Sequence, residues 1–197
     1  MDKELIIKRL SELAKEFNRD LPYEMIVNTV EISRFKEFAK GEIISRVGDD
    51  ASCAGIIVNG CARSFYIDKD GNDITQAFAI EGVFCMSSGM IGFKKQNTTW
   101  EALEDVTVMI FEVKKMKELI MSNERLMRMW INVLEEDARF KIYRESSLLI
   151  ENATQRYLDM RENAPELCNR IPQRYIATYI GIAPESLCRI RRNLKEQ

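Results

Sequence analysis

Pro172-Gln-Arg-Tyr-Ile-Ala-Thr-Tyr-Ile-Gly-Ile-Ala-Pro-Glu-Ser-Leu-Cys-Arg-Ile-Arg-Arg192 reads as a helix, a tight turn and a second helix. Pro172 suits the first helical position, where its missing N–H leaves nothing unpaired. Ile176 and Ile180 fall one turn apart and face inward, and Ala177 is small where a second helix must cross closely. Gly181 stands where the first helix has to stop, because glycine accepts the left-handed conformation that ends it. Ile182 plugs the corner, Pro184 opens the second helix, and Leu187 and Ile190 turn to the core.

That leaves Glu185, Ser186, Arg189, Arg191 and Arg192 on or near the outer surface. Helix-turn-helix geometry lays such a face in the major groove of DNA, where Arg pairs with guanine O6/N7 and Glu accepts from cytosine N4. Around the motif Arg174, Arg189, Arg191, Arg192 and Lys195 outweigh Glu185 and Glu196, which gives the local positive charge that phosphate contact requires. The expected DNA-contact set is Arg174, Glu185, Ser186, Arg189, Arg191, Arg192 and Lys195. An ordinary αα-hairpin with a solvated charged face is the competing reading.

Upstream, Glu118 to Ile150 contains neither Gly nor Pro. Leu126, Met129, Val133, Phe140, Tyr143 and Ile150 fall near a 3–4 rhythm that Trp130 and Leu134 widen. A helix of about 33 residues spans roughly 50 Å, more than a small domain needs for cover. We therefore expect a dimerising helix over 117–150, with Leu126, Met129, Val133, Phe140 and Tyr143 at the interface and Glu136 interrupting the seam. A single core-packed helix is the alternative. The segment 151–197 begins at Glu151-Asn152-Ala153-Thr154 and is broken at Asn163-Ala-Pro165 and Ile171-Pro172.

Residues 1–116 have a different character. Leu5, Ile6, Leu10 and Leu13 are spaced as on one helix, which Asp20-Leu21-Pro22 breaks. From about Glu31, short segments rich in Ile, Val, Phe and Thr alternate with Lys40-Gly41, Gly48-Asp49-Asp50, Asn59-Gly60 and Asp70-Gly71. Turn signals at such intervals point to a compact antiparallel sandwich or roll. Arg63–Ile67 and Ile74–Phe78 flank a hairpin turn over Asp68–Asp73, and Val106–Val113 supplies a further strand.

Composition narrows the chemistry. The chain has 197 residues, 46% of them hydrophobic and 30% charged, with a formal net charge of −2. It carries no histidine, which removes imidazole acid/base chemistry and His-ligated metal sites; no metal and no cofactor are expected. The five cysteines, Cys53, Cys61, Cys85, Cys168 and Cys188, form no C-x-x-C pair, as suits thiols in a reducing cytoplasm, with a redox-sensing thiol as the lesser alternative. No apolar run reaches membrane-spanning length, and the N-terminus lacks the apolar core of a signal peptide, so a cytoplasmic protein with no membrane partner is expected.

Taken along its length, the chain resembles the CRP/FNR family of bacterial transcription regulators. The roll's share of the resemblance rests on Gly41-Glu42, Gly48-Asp49, Ile57-Val-Asn-Gly60 before Arg63, the Asp70-Gly71 hairpin, Gly82, Ala102 and Val106–Val113. The resemblance implies an α+β fold: an antiparallel β-roll (double-stranded β-helix) with flanking helices, a long dimerisation helix and a C-terminal helix-turn-helix with little or no wing. It implies double-stranded DNA, a second copy of the chain and RNA polymerase as partners, with Glu185 and Arg189 at base-reading positions and Ser186 at a neighbouring contact. In cAMP-binding members an Arg followed by Ser or Thr neutralises the cyclic phosphate and a Gly-Glu pair precedes it. Here Gln96 and Asn97 occupy the Arg-Ser positions, and Met86 and Ser87 fall near the Gly-Glu pair. The cassette is therefore read as degenerate, and Ser87, Ser88, Gln96, Asn97 and Thr98 are candidates for a pocket holding some other effector. Iron–sulfur or haem sensing lacks its ligands. The runner-up function is a ligand- or protein-binding roll whose helical tail holds a protein partner; a cupin-like enzyme lacks the metal-binding histidines.

Overall fold

The structure is a computed structural model that describes residues 3–16 and 21–195. Two helices open it, α1 (Lys3–Glu16) and α2 (Tyr23–Glu31). Asp20, part of the expected break, lies outside the described residues, and Pro22 caps α2 from the non-helical side. The strands β1 (Ser33–Phe38), β2 (Ile43–Ser45), β3 (Cys53–Asn59), β4 (Ala62–Ile67), β5 (Asp73–Ala79), β6 (Phe84–Cys85), β7 (Thr99–Ala102) and β8 (Val106–Glu112) follow. They form two four-stranded sheets, in the orders β1-β8-β3-β6 and β2-β7-β4-β5. In the first sheet β8 lies antiparallel between β1 and β3, with Val108 opposite both Lys36 and Ile57. Val106, Val108 and Ile110 face the roll core while Met109 and Phe111 pack under the helices on the other face, which explains why Val106–Phe111 is apolar almost without alternation. Phe38, Ile57, Ala62, Trp100, Val108 and Ile110 are among the side chains that form the core of the roll.

The expected hairpin joins β4 to β5. Asp68 closes it, its carboxylate accepting from the Asp70 N–H at 2.8 Å and the Asn72 N–H at 2.9 Å. The Asn72 side-chain amide, which also donates to this carboxylate, and then these backbone bonds hold the Asp68 carboxyl below the ordinary carboxylate range.

The long helix expected over 117–150 is two helices, α3 (Val113–Met121) and α4 (Glu124–Ile150). Asn123 makes the break: its side-chain oxygen accepts from the N–H groups of Arg125 and Leu126, capping α4 as a new helix. Helices α5 (Ala153–Asn163), α6 (Pro165–Arg170), α7 (Gln173–Tyr179) and α8 (Pro184–Lys195) complete the chain. At the start of α5 Asn152 and Gln155 cap each other reciprocally. Pro172 sits one residue ahead of its expected place, as the cap of α7. Among the described residues no helix is long and apolar enough to cross a membrane.

Two compact units result. The first contains the N-terminal helices, most of the roll, α3 and α4 as far as Leu134; the second contains Phe65–Ala77 and everything from Glu135 onward. In the first unit the start of α4 packs on the chain's own roll. Trp130 meets Phe84 edge-on, ring centroids 5.7 Å apart, and Phe84 meets Phe111 at 6.3 Å.

Candidate nucleic-acid interface

Within the second unit, α7 and α8 make the helix-turn-helix. Tyr175, Ile176, Ala177, Ile180 and Leu187 are buried, as the spacing predicted for the aliphatic members. Gly181 has φ +77°, a conformation that favours glycine, and a Cβ there would press on the Leu148 side chain at 3.3 Å. The Ile182 N–H returns to the Ala177 carbonyl at 3.0 Å and closes the turn. Two arginines brace the pair from α4 and α5. Arg144 donates to the Tyr179 carbonyl at 2.7 Å and lies over the Tyr179 ring at 3.8 Å. Arg156 donates to the Ile180 carbonyl at 2.8 Å and to the Glu151 carbonyl. Burial pushes the Tyr179 phenol up. On the hairpin side, Thr178 Oγ1 donates to Thr75 Oγ1 at 2.9 Å and accepts from the Thr75 N–H at 3.3 Å.

The exposed side of α8 gathers most of the expected contact residues. Glu185, Cys188, Arg189 and Arg192 line one open cleft, opposite buried Leu187. Arg189 donates to Ser186 Oγ at 3.5 Å. Arg191 falls off this face and is half-buried on its flank, because about 100° per residue rotates it away from Glu185 and Arg189. Arg174 is on α7, exposed, and is held by the Tyr175 hydroxyl at 2.6 Å. Lys195 ends α8, and its side chain lies outside the described residues. Cys188 is the member of the cleft that the sequence reading left out; its place three residues after Glu185 was the available signal.

Of the expected dimer residues, Phe140 and Tyr143 are exposed, at 44% and 49%, and Val133 is half-buried. Leu126 is 4% exposed and packs inside the first unit, where Met129 also faces the interior. Val133, Phe140 and Tyr143 follow the same side of α4 by helical period, and Tyr143 is engaged by the Asp159 carboxylate, which pushes its phenol up to about 12. The opposite side carries Ile131, Leu134, Ala138, Ile142 and Leu149, all exposed, with Ile142 at 68% and Leu149 at 77%. A 3–4 spacing of exposed apolar residues is the pattern of a helix seam. The rhythm read from the sequence ran along the other side, where Leu126 and Met129 pack within the first unit and Phe140 and Tyr143 are exposed.

In the roll, Ser88 and Gln96 come together with the backbone of Met86, in a segment where Ser87–Ile91 forms a short 3-10 helix. Gln96 is 3% exposed, and its amide donates to the Met86 and Cys53 carbonyls at 3.3 and 3.4 Å. Ser88 Oγ donates to Asn97 Oδ1 at 2.7 Å and accepts from the Asn97 N–H. Thr98 is buried, Ser87 half-buried and Asn97 exposed. Gly89 passes so close to the Ala51 carbonyl that a Cβ would stand 1.9 Å from its oxygen. The five residues are thus neighbours, but Ser88, Gln96 and Asn97 bond to one another or to backbone. Nearby inside the roll Arg63, 2% exposed, pairs with Glu101 through two bonds of 2.7 and 2.8 Å. The sequence reading passed over this ion pair, because β4 and β7 are brought side by side only by the sheet order.

Residues 35–123 match the cyclic nucleotide-binding domain family. Among solved structures, FixK2 from Bradyrhizobium japonicum superposes with a TM-score of 0.74 at 18% identity, over 84% of this chain and 86% of that one. The c-di-GMP-responsive global regulator CLP of Xanthomonas campestris gives 0.73 at 13% identity, over 89% and 92%. A CRP-family transcriptional regulator from Thermus thermophilus gives 0.66 at 19%, over 82% and 84%. No curated protein sequence matches the chain. The chain as a whole shares the fold of these solved structures, as the resemblance read from its residues implies.

Proposed function

We propose that this protein is a sequence-specific, homodimeric DNA-binding transcription regulator whose effector is not a cyclic nucleotide. The observation that carries the DNA reading is the outward face of α8, where Glu185, Arg189 and Arg192 share one cleft opposite the buried Leu187. A carboxylate acceptor and a guanidinium fork one helical turn apart can address adjacent base pairs, with Arg192 beyond them for a phosphate. The seam Ile131–Leu149 supports the homodimer. Against cyclic nucleotides stands Gln96: an amide turned onto two backbone carbonyls has no charge with which to hold a phosphate.

The test is selection of bound fragments from random DNA, followed by binding of the selected site over a salt series. The proposal expects one enriched motif and a steep linear fall of log affinity with log salt. No enrichment, with binding insensitive to salt, would overturn it. Calorimetric titration with cAMP should give no saturable heat in the submillimolar range; saturable binding there would refute the reading of Gln96.

A further inference from the structure

A cavity of about 90 Å³ lies in the first unit, walled by α1, α2, β3, β8, α3 and the start of α4. We infer that it is a binding site for a small, uncharged, hydrophobic molecule, about the size of a single aromatic ring. This site stands apart from Ser88 and Gln96, which contribute nothing to its wall, and it does not rest on the DNA-binding reading.

Three observations carry the inference. The first is size: a half-open recess of about 90 Å³ stands among elements whose close packing leaves few spaces larger than a water molecule. The second is chemistry. Among the described residues no charged side chain lines the cavity. Its one side-chain hydroxyl, on Thr29, already donates to the Met25 carbonyl at 2.8 Å. A water needs two to four polar partners, whereas apolar cavities of this order stay dry and accept benzene or xenon. A carboxylate or phosphate placed among the described lining residues would find no opposite charge, so the recess favours an uncharged occupant. The third is adaptability. Met25, Met109, Met116 and Met129 all face the space, and unbranched thioether chains reshape themselves around an occupant at little strain. Leu126, Met129 and Trp130 of α4 form part of the wall, so an occupant touches the helix that bears the exposed seam.

The experiment titrates benzene into the full chain carrying ¹³C-methyl methionine and follows the methyl resonances. The ε-methyls of Met25, Met109, Met116 and Met129 should shift saturably, while that of Met121, 72% exposed, stays in place. Benzoate, the same ring with a charge, should leave all of them unmoved. Ala14→Leu adds bulk at the wall and should raise the apparent Kd for benzene at least about tenfold, a change of about 1.4 kcal/mol. Equal responses to benzene and benzoate, shifts that include Met121 without saturating, or no response at all would overturn the proposal. An Ala14→Leu titration identical to the parent's would do the same. The benzene–benzoate contrast decides the matter in the unmodified chain should Ala14→Leu fail to fold.

Discussion

Glu185 and Arg189 stand one turn apart on the same side of α8, and among the described residues Arg189 makes a long, exposed bond to Ser186. Such a contact holds the guanidinium loosely and leaves its fork available to a guanine edge. Arg189→Ala should therefore cost about 1–3 kcal/mol on the selected site and relax preference at one base pair, whereas Arg192→Ala should weaken specific and random DNA alike. Competition binding on single-base variants of the site separates the two; unchanged base preference in Arg189→Ala would remove this face as the reading surface. The cysteines diverge as sharply. Cys188 is exposed beside Arg189, while Cys61 and Cys85 are buried and burial pushes the Cys85 thiol up to about 12. A chromogenic disulfide reagent at mildly alkaline pH should consume Cys188 in the first phase and reach Cys61 and Cys85 only on unfolding. A fast phase that survives Cys188→Ser would contradict this. Sequence could not distinguish the thiols, because exposure is decided by what packs around them; it could place Glu185 and Arg189, because a helical turn is a local property.

At the scale of elements, legibility follows the same rule. The β4–β5 hairpin, the capped start of α5 and the α7–α8 turn each carry their determinant within a few residues: Asp68, Asn152 and Gly181. The break at Asn123 was missed because neither Gly nor Pro marks it; a side-chain oxygen does the stopping. Helix α4 misled for a different reason. Its first turns pack on the roll through Leu126, Met129 and Trp130, while further along it apolar residues on several sides are exposed, and a count of apolar residues cannot assign the faces. The seam Ile131–Leu149 makes a definite prediction. Ile142→Glu puts a charge in the seam and should move the light-scattering mass towards that of a single chain, while Phe140→Glu, on the far side, should leave the mass nearly unchanged. The reverse order of effects would restore the interface first read from the rhythm of Leu126, Met129, Val133, Phe140 and Tyr143.

For the whole molecule, the order of parts was legible because each has its own periodicity, whereas the division into units was not. The hairpin segment Phe65–Ala77 groups with the C-terminal residues, through contacts such as Thr75 with Thr178 that span 103 positions of sequence. No local pattern encodes such a pairing. What the parts do jointly depends on symmetry. If two chains join along the α4 seam, their two α8 helices are related by a twofold axis, and the bound DNA must carry the same symmetry. The selected site should then be a palindrome whose half-sites lie about 34–36 Å apart, one turn of the double helix. Inserting about five base pairs between them turns one half-site to the opposite face of the duplex, so only one reader can engage at a time. The loss should approach that caused by Ile142→Glu, because both remove the advantage of linked binding, commonly about 10²–10⁴ in affinity. Gel-shift titration of the spaced and unspaced sites with both proteins measures this. If the insertion leaves the parent's affinity intact, the two half-sites are read independently, and a linked dimer is not the DNA-binding species.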